Sequence, residues 1–252
     1  MRRRPPPAPA ALALAALALV APALAPRPAA AQAAEDICRA TEHRGRAFTI
    51  CTADLDRHRI DLHLNGPDGA PLGGFEALEA AGGPVLMAMN AGMYHADRAP
   101  VGLYVEDGAE AARIVTREGP GNFGMLPNGV FCVAEDGAAV IESRTFAAAP
   151  PACRHATQSG PMLLIDGAVH PRFLPDSPSR NVRNGVGVAG RAVHFVISDE
   201  PVTFHEMATL YQGLGVRDAL YFDGRVSRLH APGRGRSDRG RRLGPMVAVR
   251  PR

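Results

Sequence analysis

Apolar positions in this chain come in short, β-branched runs, and the runs are separated by residue pairs that reverse the backbone. Asp-Gly stands at 68, 107, 136, 166 and 223, and Asn-Gly at 65, 128 and 184. Such pairs tolerate the positive φ of tight hairpin turns. Val130–Ala134 and Ala138–Ile141 flank Asp136-Gly137 as a predicted hairpin, and Met162–Ile165 and Ala168–His170 flank Asp166-Gly167 in the same way. Val186–Ala189 and Val193–Ser198 pair across Gly190-Arg191, while Val85–Asn90, Val101–Glu106, Leu220–Phe222 and Met246–Val249 read as further strands. Only two segments have helical character. Phe75–Ala81 is short. Thr203–Gln212 is better marked, opening on the capping box Thr203-Phe-His-Glu206 and closing at Gly213 and Gly215. Strands outnumber helices without regular βα alternation, which predicts an α+β, single-domain fold with an antiparallel-rich mixed β-sheet core and a few helices.

The N-terminus follows another pattern. Arg2, Arg3 and Arg4 precede the apolar run Ala11–Val20, which is too short to span a bilayer, and Ala31-Gln32-Ala33 fits an Ala-x-Ala cleavage site. Residues 1–33 are therefore expected to be a signal peptide, with residues 34–252 the mature domain, periplasmic or secreted, without stable membrane insertion after cleavage. Its removal changes the charge balance. The chain holds 28 basic residues, all Arg, against 25 acids, and four of those Arg lie in the leader. The charge that remains is polarised, with nine Arg and one acid, Asp238, in residues 225–252. The stretch Gly233–Arg242 reads as a solvated loop, and an exported protein is expected to meet no nucleic acid. Four cysteines in an oxidising compartment suggest two disulfides. Of the three connectivities, Cys38–Cys51 and Cys132–Cys153 each close a modest loop between predicted neighbours.

Several motifs mislead. Gly185–Gly190 spells G-x-G-x-x-G, but a strand follows where pyrophosphate binding needs a helix N-terminus. His205-Glu206 begins like a zinc-protease helix, yet Thr209 occupies the second His position. His58 and His63 are five apart, a poor fit to one helix face, and no Gly-x-Ser-x-Gly elbow exists. What remains is a set of polar residues where apolar strands end: Asn90–Tyr94, Gln158–Pro161, Ser179–Gly185, Ser198–Glu200 and Tyr221–Ser227. Such positions are suited to converge on a pocket.

These segments, in this order, resemble the phosphodiester glycosidase family (the uncovering-enzyme-like domain), and within it a branch of small exported bacterial proteins. The similarity runs roughly from Val85 to Val249. Asn90–Tyr94 is similar to the family's Asn-Gly-Gly-Phe-type turn, Arg183–Gly187 to its Arg-Thr-Ala-Ile-Gly segment, and Glu206-Met-Ala208 to its Glu-Leu-Ala helix; Asp199 stands at its post-strand Asp. Asp223-Gly224-x-x-Ser227 corresponds to an Asp-Gly-Gly-Gly-Ser loop, in which Arg225 and Val226 here replace two glycines and reshape the approach of a ligand to the backbone.

The resemblance implies an exported hydrolase cleaving a sugar-1-phosphodiester. Because phosphate leaves readily, the site has to stabilise an oxocarbenium-like centre, hold phosphate and direct water. Asp223 is implied as the principal carboxylate, with Asp199 or Glu206 as the second. Arg183 is implied as a phosphate clamp, since a guanidinium forks two hydrogen bonds onto adjacent oxygens. Asn90, Gly92, Gly160, Gly224 and Ser227 complete the implied substrate site, Ser227 as a hydrogen-bond donor. Tyr94 and Phe123 read as core aromatics with an alternative role against a sugar face. No cofactor is required, although Ca²⁺ or Mg²⁺ on the carboxylates is compatible with oxygen ligands. The expected partner is a small-molecule or glycan phosphodiester. The competing readings are a non-catalytic periplasmic binder of glycans or cell-wall polymers and a metal-dependent enzyme cutting P–O instead of C–O.

Overall fold

The computed structural model describes Met1, residues 35–223 and residues 226–252. The expected signal peptide and Gly224 lie outside the described residues. The chain runs through β1 (Cys38–His43), β2 (Arg46–Asp54), β3 (His58–His63), helix α1 (Phe75–Gly82), β4 (Met87–Asn90), β5 (Tyr104–Glu106), β6 (Ala109–Ala112), β7 (Gly129–Val133) and β8 (Ala138–Glu142). After the short helix α2 (Ser143–Ala148) come β9 (His155–Ser159), β10 (Met162–Ile165), β11 (Ala168–Val169), β12 (Asn184–Ala189) and β13 (Ala192–Ser198). Helix α3 (Phe204–Gly213) then leads to β14 (Asp218–Tyr221), β15 (Leu229–Ala231), β16 (Arg236–Ser237) and β17 (Met246–Pro251).

The strands form three sheets. The largest has the order β1-β2-β13-β12-β14-β10-β11; the others are β16-β15-β4-β17-β3 and β6-β5-β9-β7-β8. Every named strand pairing among the described residues is antiparallel, so the expected mixed sheet is a set of antiparallel ones. The Asp-Gly hairpins form as the sequence predicts: β7 pairs with β8, and β10 with β11 across Asp166 and Gly167, both at positive φ. The Asn-Gly pairs at 128 and 184 behave differently. They open strands, and neither glycine has a positive φ.

Period-two alternation places the core. On β13, Phe195 and Ile197 face inward, where Phe195 meets Phe131 edge to face at 5.9 Å between centroids, and Phe131 in turn meets Phe222 at 6.4 Å. Met89 and Val247 of the second sheet join this core, so it binds all three sheets together. Val196 points the other way, with Phe48 and Ile50, toward Met207, Leu210 and Tyr211 of α3. Each large side chain buried there contributes about 2 kcal/mol. The start of α3 is fixed by the capping box the sequence announced: Glu206 N–H donates to Thr203 Oγ1 at 3.0 Å, and Thr203 N–H donates to a Glu206 carboxylate oxygen at 2.7 Å. Both expected disulfides are present, and Cys38 and Cys51 stand directly opposite each other on β1 and β2. No helix among the described residues is long and apolar enough to cross a membrane.

Candidate active site

Three strand ends and one loop meet at Asn184. It opens β12 and is fully buried. Its Oδ1 accepts from the Asp223 backbone N–H at 3.2 Å and from Ser227 Oγ at 3.1 Å, while its Nδ2 donates to the Asn90 carbonyl at 2.9 Å. Asn90, at the end of β4 and equally buried, donates through Nδ2 to the Asp223 carbonyl at 3.2 Å and accepts from the Arg228 N–H at 2.9 Å. Ser227 Oγ lies 2.9 Å from the Asp223 carbonyl. One residue earlier, the Phe222 carbonyl accepts from the buried Ser159 Oγ at 2.6 Å. The backbone just past β14 is thus fastened from β4, β9, β12 and the following loop, and Asp223 itself remains half-buried. Buried amides satisfied in this way hold a loop in one geometry, which is what a positioned carboxylate needs.

Asn90, Asp223 and Ser227, three of the expected site residues, are therefore brought together, while Arg183 and Asp199 are held elsewhere. Asn184 was missed as a site residue. An Asn opening a buried strand reads as turn punctuation, and no local signal separates the two roles. Gly92 lies next to this cluster: its N–H donates to Thr157 Oγ1 at 3.2 Å, and a Cβ would overlap the Gln158 carbonyl. Gly160 precedes a cis proline and packs closely on Asn128. Both glycines allow close backbone packing around the site. Tyr94 reaches toward Asp223. Burial first, and the Asp223 charge next, push the phenol pKa up, so Tyr94 stays protonated. Phe123 lines a different hollow, with His95, Val101 and Arg117.

Arg183 corrects the expectation of an open phosphate clamp. Only 1% of it is exposed, and its guanidinium lies 3.7 Å over the Phe204 ring. Nε donates to the Val202 carbonyl at 2.9 Å and one terminal nitrogen donates to the Ser179 carbonyl at 3.1 Å. Burial pushes its pKa down, against an opposing pull from Tyr221. In this position the side chain ties the Ser179–Val202 loops to β12. The other two carboxylates are also committed. Asp199 pairs with Arg236 and accepts from Thr49 Oγ1 at 3.0 Å. Glu206 holds the α3 cap and pairs with Arg180 at 2.8 Å. Burial works to raise the Glu206 pKa, but the Thr203 N–H and Arg180 outweigh it and leave the pKa lowered. Among the described residues, a chain of contacts through Arg236, Asp238 and the Leu229 N–H leads from Asp199 toward the Asn184 cluster. Among the described residues, no group of three or more His, Cys, Asp or Glu side chains is gathered as a metal site.

A family model described as phosphodiester glycosidase matches residues 84–249, a span that contains every member of the Asn184 cluster. The chain belongs to the phosphodiester glycosidase family. Among its relatives, the Escherichia coli (strain K12) protein called Uncharacterized protein YigE is 35% identical over 188 residues, 72% of this chain and 73% of that one. The fold is that of the zebrafish N-acetylglucosamine-1-phosphodiester alpha-N-acetylglucosaminidase catalytic domain, a structure auto-inhibited by its pro-peptide, at TM-score 0.60 and 14% identity over 88% of this chain and 87% of that one. A Burkholderia pseudomallei K96243 protein described as exported is similar at TM-score 0.57 and 13% identity, over 82% and 74% of the two chains. The two disulfides fit a protein that folds in an oxidising compartment.

Proposed function

We propose that this family member hydrolyses a sugar-1-phosphodiester at the anomeric C–O bond, with Asp223 as the acting carboxylate. The supporting observation is the Asn184 cluster. It spends three buried or half-buried side chains, Asn90, Asn184 and Ser227, on fixing the backbone that carries one acid. A phosphate leaving group reduces the need for a general acid, so a single carboxylate against the developing sugar cation meets the main demand. Tyr94, held neutral beside Asp223, presents a ring face and a phenol to the sugar. Asp199 and Glu206, each tied into an ion pair, are assigned structural roles in this reading.

The test is hydrolysis of a chromogenic sugar-1-phosphodiester by the mature protein and by Asp223→Asn. The variant is expected to lose at least ~10³-fold in kcat, with a melting temperature within about 2 °C of the parent. Turnover retained in Asp223→Asn removes the residue from the chemistry. In ¹⁸O-water the label should enter the sugar; label in the phosphate would mean P–O cleavage instead. Saturable binding with no release by the parent protein would leave a glycan-binding module.

A further inference from the structure

The Arg-rich loop that reads as solvated in the sequence folds back beside the Asn184 cluster. Tyr94 lies against Gly244, where a side chain would overlap its ring, and its hydroxyl donates to the Arg242 carbonyl at 3.4 Å. Arg228, only 9% exposed, lays its guanidinium along Gly240 and donates to the Arg241 carbonyl. Gly240 has φ 156, and a Cβ there would come within 3.0 Å of the Arg228 guanidinium. The loop borders an open hollow of about 320 Å³, lined by Val182, Ser227, Arg228, Arg239, Gly240 and Arg241 among others. Three guanidinium-bearing residues and the Ser227 of the cluster thus share one small space, with no acid among its lining residues.

No ion pair among the described residues uses Arg228, Arg239 or Arg241. The acid next in line, Asp238, is taken by two bonds of 3.0 Å from Arg236 and one from the Leu229 N–H. Cations gathered in a partly desolvated hollow repel one another, and an anion relieves that repulsion in proportion to its charge. A simple phosphodiester carries one negative charge. Three guanidinium groups match an anion carrying two or more.

We infer that the hollow formed by Ser227, Arg228, Arg239 and Arg241 is the subsite for the leaving half of the substrate, and that this half is a diphosphate or an equally charged oligophosphate. The inference rests on the hydrolase reading above and narrows its substrate class to sugars joined through the anomeric oxygen to such a group. Water adds its oxygen to the anomeric carbon, the C–O bond breaks with its electron pair left on the diphosphate, and one water proton passes to solvent. Arg183, enclosed by Phe204 and the Val202 carbonyl, plays no part in holding the anion.

Calorimetric titration of the mature protein with inorganic pyrophosphate, and separately with dimethyl phosphate as a one-charge diester, tests this. Pyrophosphate should bind one to one, at least ~10-fold more tightly than dimethyl phosphate at matched ionic strength. The double variant Arg239→Gln, Arg241→Gln changes two exposed side chains and should weaken pyrophosphate ~10-fold or more with an unchanged melting temperature. Asp223→Asn should bind pyrophosphate as the parent does. Absence of pyrophosphate binding, equal affinity for the two probes, or full affinity in the double variant overturns the subsite. Pyrophosphate binding that persists while every sugar phosphodiester stays intact keeps the subsite and removes the hydrolase reading; turnover without pyrophosphate binding does the opposite.

Discussion

Asn184 is worth more to this protein than its single position in a strand suggests. It serves one amide hydrogen, one hydroxyl hydrogen and one carbonyl oxygen at once, and each of its partners is itself buried or half-buried. Truncation removes the Asn90 carbonyl's donor from a fully buried space and the link between Asn90, Asp223 and Ser227. Asn184→Ala is expected to lower stability by about 2–4 kcal/mol in urea unfolding and to lower kcat by ~10²-fold, through displacement of Asp223. Unchanged kcat in the folded variant would show that Asp223 keeps its place without this anchor. The residue was hidden in the sequence because Asn-Gly means a turn far more readily than a hub. Arg183 was misjudged for a related reason: a guanidinium before a strand looks like a surface group until Phe204 and Tyr221, both later in the chain, are folded over it.

At the scale of elements, local chemistry gave the hairpins and the α3 cap, since both depend on residues a few positions apart. β1 was illegible: five of its six side chains are exposed or partly so, and its turn to β2 places Arg44 at φ 54, which no turn signal announces. The β3–β17 pair carries a pH dependence. Across it, Arg250 lies 3.3 Å from Asp61 and 3.0 Å from His63 Nε2. Burial, and then Arg250, push the His63 pKa down to about 4, with Asp61 opposing. The unfolded state therefore binds the extra proton between pH ~6.5 and ~4, and stability falls as pH drops through that window. His63→Gln should flatten this part of the stability–pH curve, measured by urea midpoints at steps between pH 7 and 4. An unchanged acid slope would assign the loss to other groups.

For the whole molecule, the disulfides are the elements that reach across sequence without depending on burial. Cys38–Cys51 and Cys132–Cys153 close loops with sequence separations of 13 and 21. Replacing either pair by serines is expected to cost about 3 kcal/mol of stability, read as a lower urea midpoint at unchanged slope. A midpoint that does not move would mean that the sheets alone fix those ends. The three sheets share one core through Phe131, Phe195 and Met89, and it is this packing that brings the ends of β4, β12 and β14 to one place.

By itself the sequence determined the strand-rich class, the Asp-Gly hairpins, the cap at Thr203 and the family, because each is written in neighbouring residues or in an ordered set of short motifs. Tertiary structure alone decided which polar groups share a space. Asn184 became the hub, Arg183 a buried tie, and the charged C-terminal loop a wall beside Ser227. Long-range register and side-chain burial set those relations, and they depend on contacts between segments well separated in sequence, such as Asn90 with Asp223 and with Arg228, which no local pattern encodes.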